Sequence, residues 1–275
     1  MLKKLMKYEF KATGRYLFPL YAALIAFAFI IRVFFKENLL NTINNNSVII
    51  EKFSMFGRLA TMISVFAYGF TMATVFVATF LIIVQRFYKN LLGDEGYLMN
   101  TLPVKPYLNI INKISVSIIW TILSCFAAFL SLIVLFATYD SFTNIISSIS
   151  FLITEAQKEF GIMSFIILFE YFILGLIELG KSITMIYASI SIGHLFNKSK
   201  ILLSIGAFIG LSIASNMINS LLLVILSQLP IDIFEFSSIH SMGIVLLFTI
   251  IFEGIYLCLY FFITNHIITN NLNLE

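Results

Sequence analysis

Six long apolar runs constrain the fold of this chain more than any other feature of its sequence. A helix needs ~20 apolar residues to cross the hydrocarbon core of a bilayer. Runs that meet this requirement cover residues 17–35, 59–84, 114–138, 161–195, 201–227 and 243–264. Only 11% of the residues are charged, whereas soluble domains contain about 25%. The sequence therefore predicts an all-α integral membrane protein with six transmembrane helices.

The basic residues between these runs predict which ends face the cytoplasm. The polar stretches form two alternating sets, 1–16, 85–113 and 196–200 in the first and 36–58, 139–160 and 229–242 in the second. The first set contains eleven Lys and Arg residues, and the second contains four, together with seven acids. Because Lys and Arg concentrate on the cytoplasmic side of membrane proteins, both termini are expected in the cytoplasm. The tail at 265–275 has no Lys or Arg and does not affect this expectation.

The first sixteen residues have the pattern of an amphipathic helix. At 100° per residue, five basic residues fall within a sector of about 120°: Lys3, Lys4, Lys7, Lys11 and Arg15. A plain basic flank would explain the charge but not this sector. We expect residues 1–16 to form an interfacial helix on the inner membrane surface. A transmembrane domain at 17–264 and a cytoplasmic tail at 265–275 would follow.

One segment matches a phosphate-binding pattern but lacks the context that such a site requires. Residues 175–182 read GLIELGKS, and the matching positions are Gly175, Gly180, Lys181 and Ser182. A phosphate loop needs a buried strand before the first glycine and a helix that starts at the Lys-Ser pair. Apolar residues flank the segment on both sides, so 161–195 is predicted to be one helical span. The match is interpreted as chance, and no cofactor is expected in this chain.

Catalytic and metal-binding patterns are also missing from the sequence. Cys125 and Cys258 lie inside apolar runs, which is typical of buried packing. His194, His240 and His266 are scattered. Neither a catalytic residue nor a metal ligand is predicted, and the chain is not expected to be an enzyme.

Inserting a charged side chain at the bilayer centre costs roughly 2.5–3.5 kcal/mol of free energy. The charged residues inside the predicted spans therefore require an explanation. Glu170, Glu178 and Lys181 form one stripe on the fourth span, and Glu178 can pair with Lys181 three residues later. Glu253 in the sixth span needs a partner that the sequence does not identify. For Glu170 and Glu178 a pathway lining and a structural pair both remain open. For Lys181 the structural interpretation is favoured.

Three other polar residues lie in the spans, and the fifth span also has a ridge of small residues. Arg32 is close enough to the end of the first span to reach the membrane surface, and Asn216 and Asn219 lie in the fifth. The ridge Gly206, Gly210 and Ala214 permits close helix contact, within the subunit or between subunits.

The polar stretch 85–113 has sequence features that a simple solvated connection between two spans does not need. Its sequence LLGDEGYLMNTLP combines a Gly-Asp-Glu-Gly turn with a short amphipathic helix that ends at Pro103. Tyr97, Leu98 and Leu102 give this helix an apolar side. That side is expected to lie in the lipid headgroups or to bind in a groove of another protein.

With these features the chain resembles the permease subunits of bacterial ATP-binding-cassette (ABC) transporters, in the six-span exporter class. The resemblance is closest to permeases of lantibiotic and peptide export or self-immunity. It is carried by Lys7-Tyr8-Glu9-Phe10-Lys11, by Gly93 to Val104, by Ser191-Ile192-Gly193-His194-Leu195-Phe196 and by Asn273-Leu274-Glu275.

The resemblance implies a location, partners and a coupling site. The chain would lie in the bacterial cytoplasmic membrane, export a peptide, lipid-like molecule or antimicrobial compound, and pair with a second permease copy or a related permease. A separate ATPase subunit would bind ATP and Mg²⁺, and no nucleic-acid partner is implied. The outer connection 229–242 would be re-entrant. The residues that would contact the ATPase are Gly93, Asp94, Glu95, Gly96, Tyr97, Leu98, Thr101, Leu102 and Pro103.

Other functions remain open at this stage. An ATP-independent, ion-coupled transporter could use the intramembrane carboxylates Glu170, Glu178 and Glu253. Such transporters commonly have repeat-related halves, and no internal repeat is detectable here. A membrane protein of immunity or sensing that transports nothing is a further alternative.

Overall fold

The computed structural model describes residues 2–43, 49–93, 96, 105–136, 139–196, 199–227 and 239–270, and nearly all of them are helical. The helices are α1 (Leu2–Ile43), α2 (Ile49–Phe87), α3 (Pro106–Phe136), α4 (Tyr139–Phe160), α5 (Met163–His194), α6 (Lys200–Ser227) and α7 (Ile239–Asn270). A π-helical turn, Tyr88–Leu92, follows α2 directly. All except α4 provide a segment long and apolar enough to cross a membrane. The prediction of an all-α protein with six candidate spans is confirmed.

The first helix differs in extent from the prediction. A boundary was expected after residue 16, but α1 continues through Pro19 to Ile43 as a single helix. Phe10 stacks on Trp120 with ring centroids 4.4 Å apart, and Thr13 and Leu17 are buried. The five basic residues of the predicted amphipathic sector are all exposed. The interfacial position of residues 1–16 stays a prediction.

The chain forms two compact units, and one of them comprises Met6–Ile83 and Ile119–Ile149. Within this unit, hydroxyl groups join the three helices. The Ser124 hydroxyl lies 2.7 Å from the Tyr21 hydroxyl and 2.8 Å from that of Thr79, and Tyr68 and Ser131 form a similar pair at 2.8 Å. Such bonds satisfy polar groups that lipid cannot solvate.

The other unit comprises Met1–Leu5, Val84–Ile118 and Ser150–Glu275. In it α5 packs against both α6 and α7. Tyr256 and Tyr260 of α7 and Ala188 of α5 form a buried cluster, and the Tyr256 hydroxyl donates to Asn219 Oδ1 at 3.0 Å. Gly193 lets α5 approach the start of α6, because a Cβ atom there would lie 2.7 Å from the backbone oxygen of Lys200.

Helix α6 has the least buried apolar segment of the six. None of the residues in its most hydrophobic window is buried. A Cβ atom added at Gly206 or at Gly210 would meet nothing within 4 Å. Within the described part of the chain, the predicted small-residue ridge therefore contacts no other helix. Contact between subunits stays a prediction.

Candidate functional site

Most of the predicted coupling residues lie outside the described residues, namely Asp94, Glu95, Tyr97, Leu98, Thr101, Leu102 and Pro103. Gly93 and Gly96 are described. The Gly96 backbone N–H donates to the Gly93 carbonyl at 2.8 Å. The turn that the Gly-Asp-Glu-Gly sequence predicts includes Asp94 and Glu95, which lie outside the described residues.

The π-helical turn, residues 88–92, brings the chain to this segment. Asn90, Leu91 and Leu92 are buried in it, and the Gly93 N–H closes the turn on the Tyr88 carbonyl at 2.8 Å. A wide turn of this kind is rare and is frequently found at functional sites. The chain is thus fixed in the protein interior immediately before the predicted coupling residues.

An aromatic clamp, which we define as Phe87, Tyr88, Tyr187 and His194, connects this turn to α5. Phe87 and Tyr187 are almost fully buried and stack face to face, with ring centroids 3.9 Å apart and an interplanar angle of 7°. The next residue, Tyr88, contacts His194, which lies seven residues after Tyr187 on α5, with ring centroids 5.0 Å apart. The Tyr187 hydroxyl also forms a 2.7 Å hydrogen bond with the Ser117 hydroxyl of α3. A single α5 side chain is therefore held from both α2 and α3.

The chain is also buried where it re-enters the bundle after the coupling segment. Asn109, Asn112 and Lys113 lie within the first two turns of α3 and are at most 2% exposed. Buried amides and a buried ammonium group are costly unless they interact, so their presence at this end of α3 marks a structured region. Both ends of the predicted coupling segment are therefore anchored in the same compact unit.

A buried charge pair, Lys181 of α5 and Glu253 of α7, is the second feature of the candidate site. The Lys181 ammonium nitrogen lies 2.5 Å from a Glu253 carboxylate oxygen, and the two side chains are 17% and 11% exposed. The sequence allowed Lys181 to pair with Glu178, but in the structure Lys181 forms an ion pair with Glu253 of α7. Glu178 points to the exposed side of α5, whereas Lys181 points towards α7. The pair also provides the partner that the sequence left unidentified for Glu253.

Glu170 occupies a different environment on the same helix. It lies three helical turns from Lys181 and is 8% exposed, beside Gly243 of α7. Its Oε2 atom is buried and has no hydrogen-bond partner among the described residues. The stripe predicted from the sequence therefore divides into an ion-paired Lys181, an exposed Glu178 and a buried, uncompensated Glu170.

The residues of the chance phosphate-loop match lie inside α5. This helix runs without a break from Met163 to His194, so their backbone has helical geometry. Gly180 packs against Leu257 of α7, and nothing lies within 4 Å of a Cβ atom placed at Gly175. This is not the strand, loop and helix that phosphate binding requires. Within the described residues, no group of three or more His, Cys, Asp or Glu side chains could hold a metal ion.

The sequence analysis missed the aromatic clamp. Phe87 and Tyr88 lie in the polar stretch 85–113, Tyr187 lies in an apolar run, and no spacing rule links positions one hundred residues apart. A partial signal was present, since Phe87 and Tyr88 lie at the start of that stretch and His194 is near the end of the fourth span.

The fold and the buried charges define the class of protein: a multi-pass α-helical membrane protein, with six apolar helices and an ion pair within its helical bundle. A comparison of the chain with known protein families, curated proteins and solved structures finds no match.

Proposed function

We propose that this chain is the membrane-spanning permease subunit of a bacterial ABC transporter. It exports a peptide, a lipid-like molecule or an antimicrobial compound across the cytoplasmic membrane. ATP and Mg²⁺ are bound by a separate ATPase subunit that docks on the 85–113 stretch. The resemblance of residues 93–104 to the coupling region of such permeases suggests this function, and the six apolar helices are compatible with it.

The observation that carries the proposal is the stacking of Phe87 on Tyr187. A coupling segment can drive transport only if its displacement reaches the membrane helices. Here the turn that leads into the segment is held to α5 by two aromatic contacts, and Tyr187 is also bonded to Ser117. Buried aromatic contacts resist independent movement because the protein interior is closely packed. A force on the segment would therefore reach α5.

The mechanism is a shift between two populated conformations. Closure of two ATPase subunits would move the docked segments and favour one arrangement of the attached spans. Six helices enclose little space, so a second copy or a related permease would complete the pathway. The basic residues of the polar stretches support a cytoplasmic position for both termini and for the docking segment.

Ion-coupled transport is the second candidate, and Glu170 is the observation that favours it. Glu170 is a buried carboxyl group inside a candidate span, and ionisable residues within the membrane commonly mark substrate or ion pathways. The same structure weakens the case for three acting carboxylates, because Glu253 is already neutralised by Lys181. Coupling to an ATPase is therefore the preferred proposal.

Co-purification with an ATPase tests the proposal. The tagged chain, extracted from its own host in mild detergent, is expected to bring down an ATP-binding-cassette ATPase, and Leu98→Glu with Leu102→Glu should remove it. Charged side chains would have to be desolvated in the docking groove. Thr154→Glu, on exposed α4, serves as the matched control and should retain the partner. Retention of the ATPase by the double variant, or ATP hydrolysis by the pure chain, would refute the proposal.

A further inference from the structure

Helix α4 is not one of the six candidate spans, and its sequence has a regular amphipathic pattern. At 100° per residue, the apolar residues fall within a sector of about 120°. They are Phe142, Ile145, Ile146, Ile149, Leu152, Ile153, Ala156 and Phe160. The rest of the circumference contains Ser, Thr, Asn, Gln and the charged residues Asp140, Glu155, Lys158 and Glu159, of which Glu159 lies at the edge of the apolar sector. One apolar residue, Phe151, lies on the polar side.

The apolar side of α4 is exposed in the folded chain. Among its residues, Leu152 is 65% exposed and Ile145, Ile146 and Ile149 are each more than half exposed. On the polar side Lys158 and Glu155 form an exposed ion pair at 3.0 Å. Exposed apolar surface of this extent marks a binding surface rather than a hydrated one, because its contact with water is unfavourable.

The position of α4 in the chain indicates what covers this surface. The helix begins three residues after α3 ends and is followed at once by α5, both of which are candidate spans. Gly161, with a φ of +57°, ends α4 in a backbone conformation that glycine adopts readily. Both ends of α4 are therefore joined to candidate spans by short connections. At the second connection Ile162 is 80% exposed, and Phe165 in the first turn of α5 is 49% exposed.

The composition of α4 does not suit a span of its own. Its 22 residues would extend for ~33 Å, which is enough to cross a bilayer. It nevertheless lacks the apolarity of the six candidate spans, because half of its surface is polar. A helix with a large apolar side, a polar side and low overall hydrophobicity lies in the membrane interface.

We propose that α4 is an interfacial helix whose apolar side binds the lipid surface. It lies along the boundary between headgroups and acyl chains, with its apolar side buried about 5–10 Å and its polar side in water. The partner is the lipid of the leaflet at which α3 ends and α5 begins. This proposal rests on the membrane location of α3 and α5 and not on the proposed transport function.

Lipid binding by α4 would have a structural consequence. The helix is joined to α5 through only two residues, Gly161 and Ile162. Anchoring α4 in the interface therefore fixes the depth of the first turns of α5. Since α5 also carries Glu170 and Lys181, the lipid surface would help to set the position of the candidate site.

Site-directed fluorescence in lipid vesicles tests this proposal. In a chain whose Cys125 and Cys258 are replaced by Ala, an environment-sensitive label is attached to a cysteine at Ile149 or Ala156 on the apolar side. Matched cysteines at Ser147 and Thr154 report the polar side. The vesicles consist of phosphatidylcholine and phosphatidylglycerol, with and without a lipid that has a nitroxide near its headgroup.

The labels on the two sides are expected to differ. Those at Ile149 and Ala156 should emit at shorter wavelength and be quenched by the nitroxide lipid. Those at Ser147 and Thr154 should be quenched by aqueous iodide instead. If Ile149→Cys fails to elute as a folded protein, Ile153→Cys provides the same measurement.

Three results would overturn the proposal. Iodide quenching on both sides would show that α4 projects into water. A blue-shifted emission on the apolar side without quenching by nitroxide lipid would show that protein, such as a second copy of the chain, covers it. Quenching of all four labels by a nitroxide near the bilayer centre would show that α4 is a span.

Discussion

At the scale of single residues, Lys181 and Glu253 show how a membrane bundle accommodates charge. Either residue alone would cost several kcal/mol in an apolar environment. Together they form a pair between α5 and α7, close to the contact of Gly180 with Leu257. The glycine allows the helices to approach, and this proximity brings the ammonium and carboxylate groups within bonding distance.

Substitution of one member of this pair should destabilise the protein. Glu253→Gln leaves the Lys181 ammonium group without its counter-charge, and breaking a buried pair in this way costs about 3–5 kcal/mol. We expect a clearly lower midpoint of thermal unfolding in detergent, measured by a thiol-independent fluorescence assay.

The matched control is Glu170→Gln on the same pair of helices. The buried Oε2 atom of Glu170 has no hydrogen-bond partner in the described part of the chain, and glutamine preserves the shape of the side chain. Its midpoint should therefore stay close to that of the parent chain. A loss of stability as large as that of Glu253→Gln would show that the Glu170 carboxylate is charged and paired.

At the scale of elements, α5 is the helix on which the other features of its unit converge. It packs against α6 and α7 and contacts the π-helical turn. Tyr187, Lys181 and Glu170 all lie along this one helix. A long helix transmits displacement along its axis because its backbone hydrogen bonds repeat at every residue. The clamp at one end and the charge pair near the middle are thus parts of one rigid element.

Weakening the clamp should uncouple transport from ATP hydrolysis without preventing assembly, if the proposed function is correct. Tyr187→Phe removes the bond to Ser117, which contributes about 0.5–1.5 kcal/mol. Phe87→Leu removes an aromatic pair of similar strength. In reconstituted vesicles both variants should bind the ATPase normally while ATP turnover no longer drives export.

Phe172→Leu is the control for these variants, since Phe172 lies on α5 and is 64% exposed. It should behave like the parent chain. If coupling is unchanged in both clamp variants, the aromatic clamp does not transmit movement from the ATPase. This result would not contradict the proposal that the chain is a permease.

At the scale of the whole molecule, hydropathy and charge together determine the arrangement in the membrane. The described residues contain six candidate spans, and an even number of spans would put the two termini on the same side of the membrane. The excess of basic residues in the first set of polar stretches then predicts that this side is the cytoplasm.

Labelling of single cysteines tests this arrangement. In intact cells, a membrane-impermeant maleimide should label Ser147→Cys on α4 but not Lys105→Cys or Ser199→Cys, which should react only after permeabilisation. Both native cysteines are first replaced, because the expectation that Cys125 and Cys258 are buried is wrong: both are exposed on the protein surface. Labelling of Lys105→Cys in intact cells would reverse the predicted orientation.

The sequence by itself determined the architecture, because bilayer thickness requires long apolar runs and each run is visible without knowledge of its neighbours. It predicted the six candidate spans. It did not predict that residues 139–160 form an amphipathic helix, because they were treated as a polar connection. The helical period was present there, and a wheel applied to that stretch would have found it.

The tertiary structure alone decided which polar groups meet. A helical wheel places Glu178 next to Lys181 on the surface of one helix, but it contains no information on α7. Packing of α5 against α7 is what directs Lys181 to Glu253 and leaves Glu170 buried beside Gly243. The stacking of Phe87 on Tyr187 has the same origin. Such contacts depend on how helices cross, and in an apolar environment many arrangements of the same runs would bury similar surface.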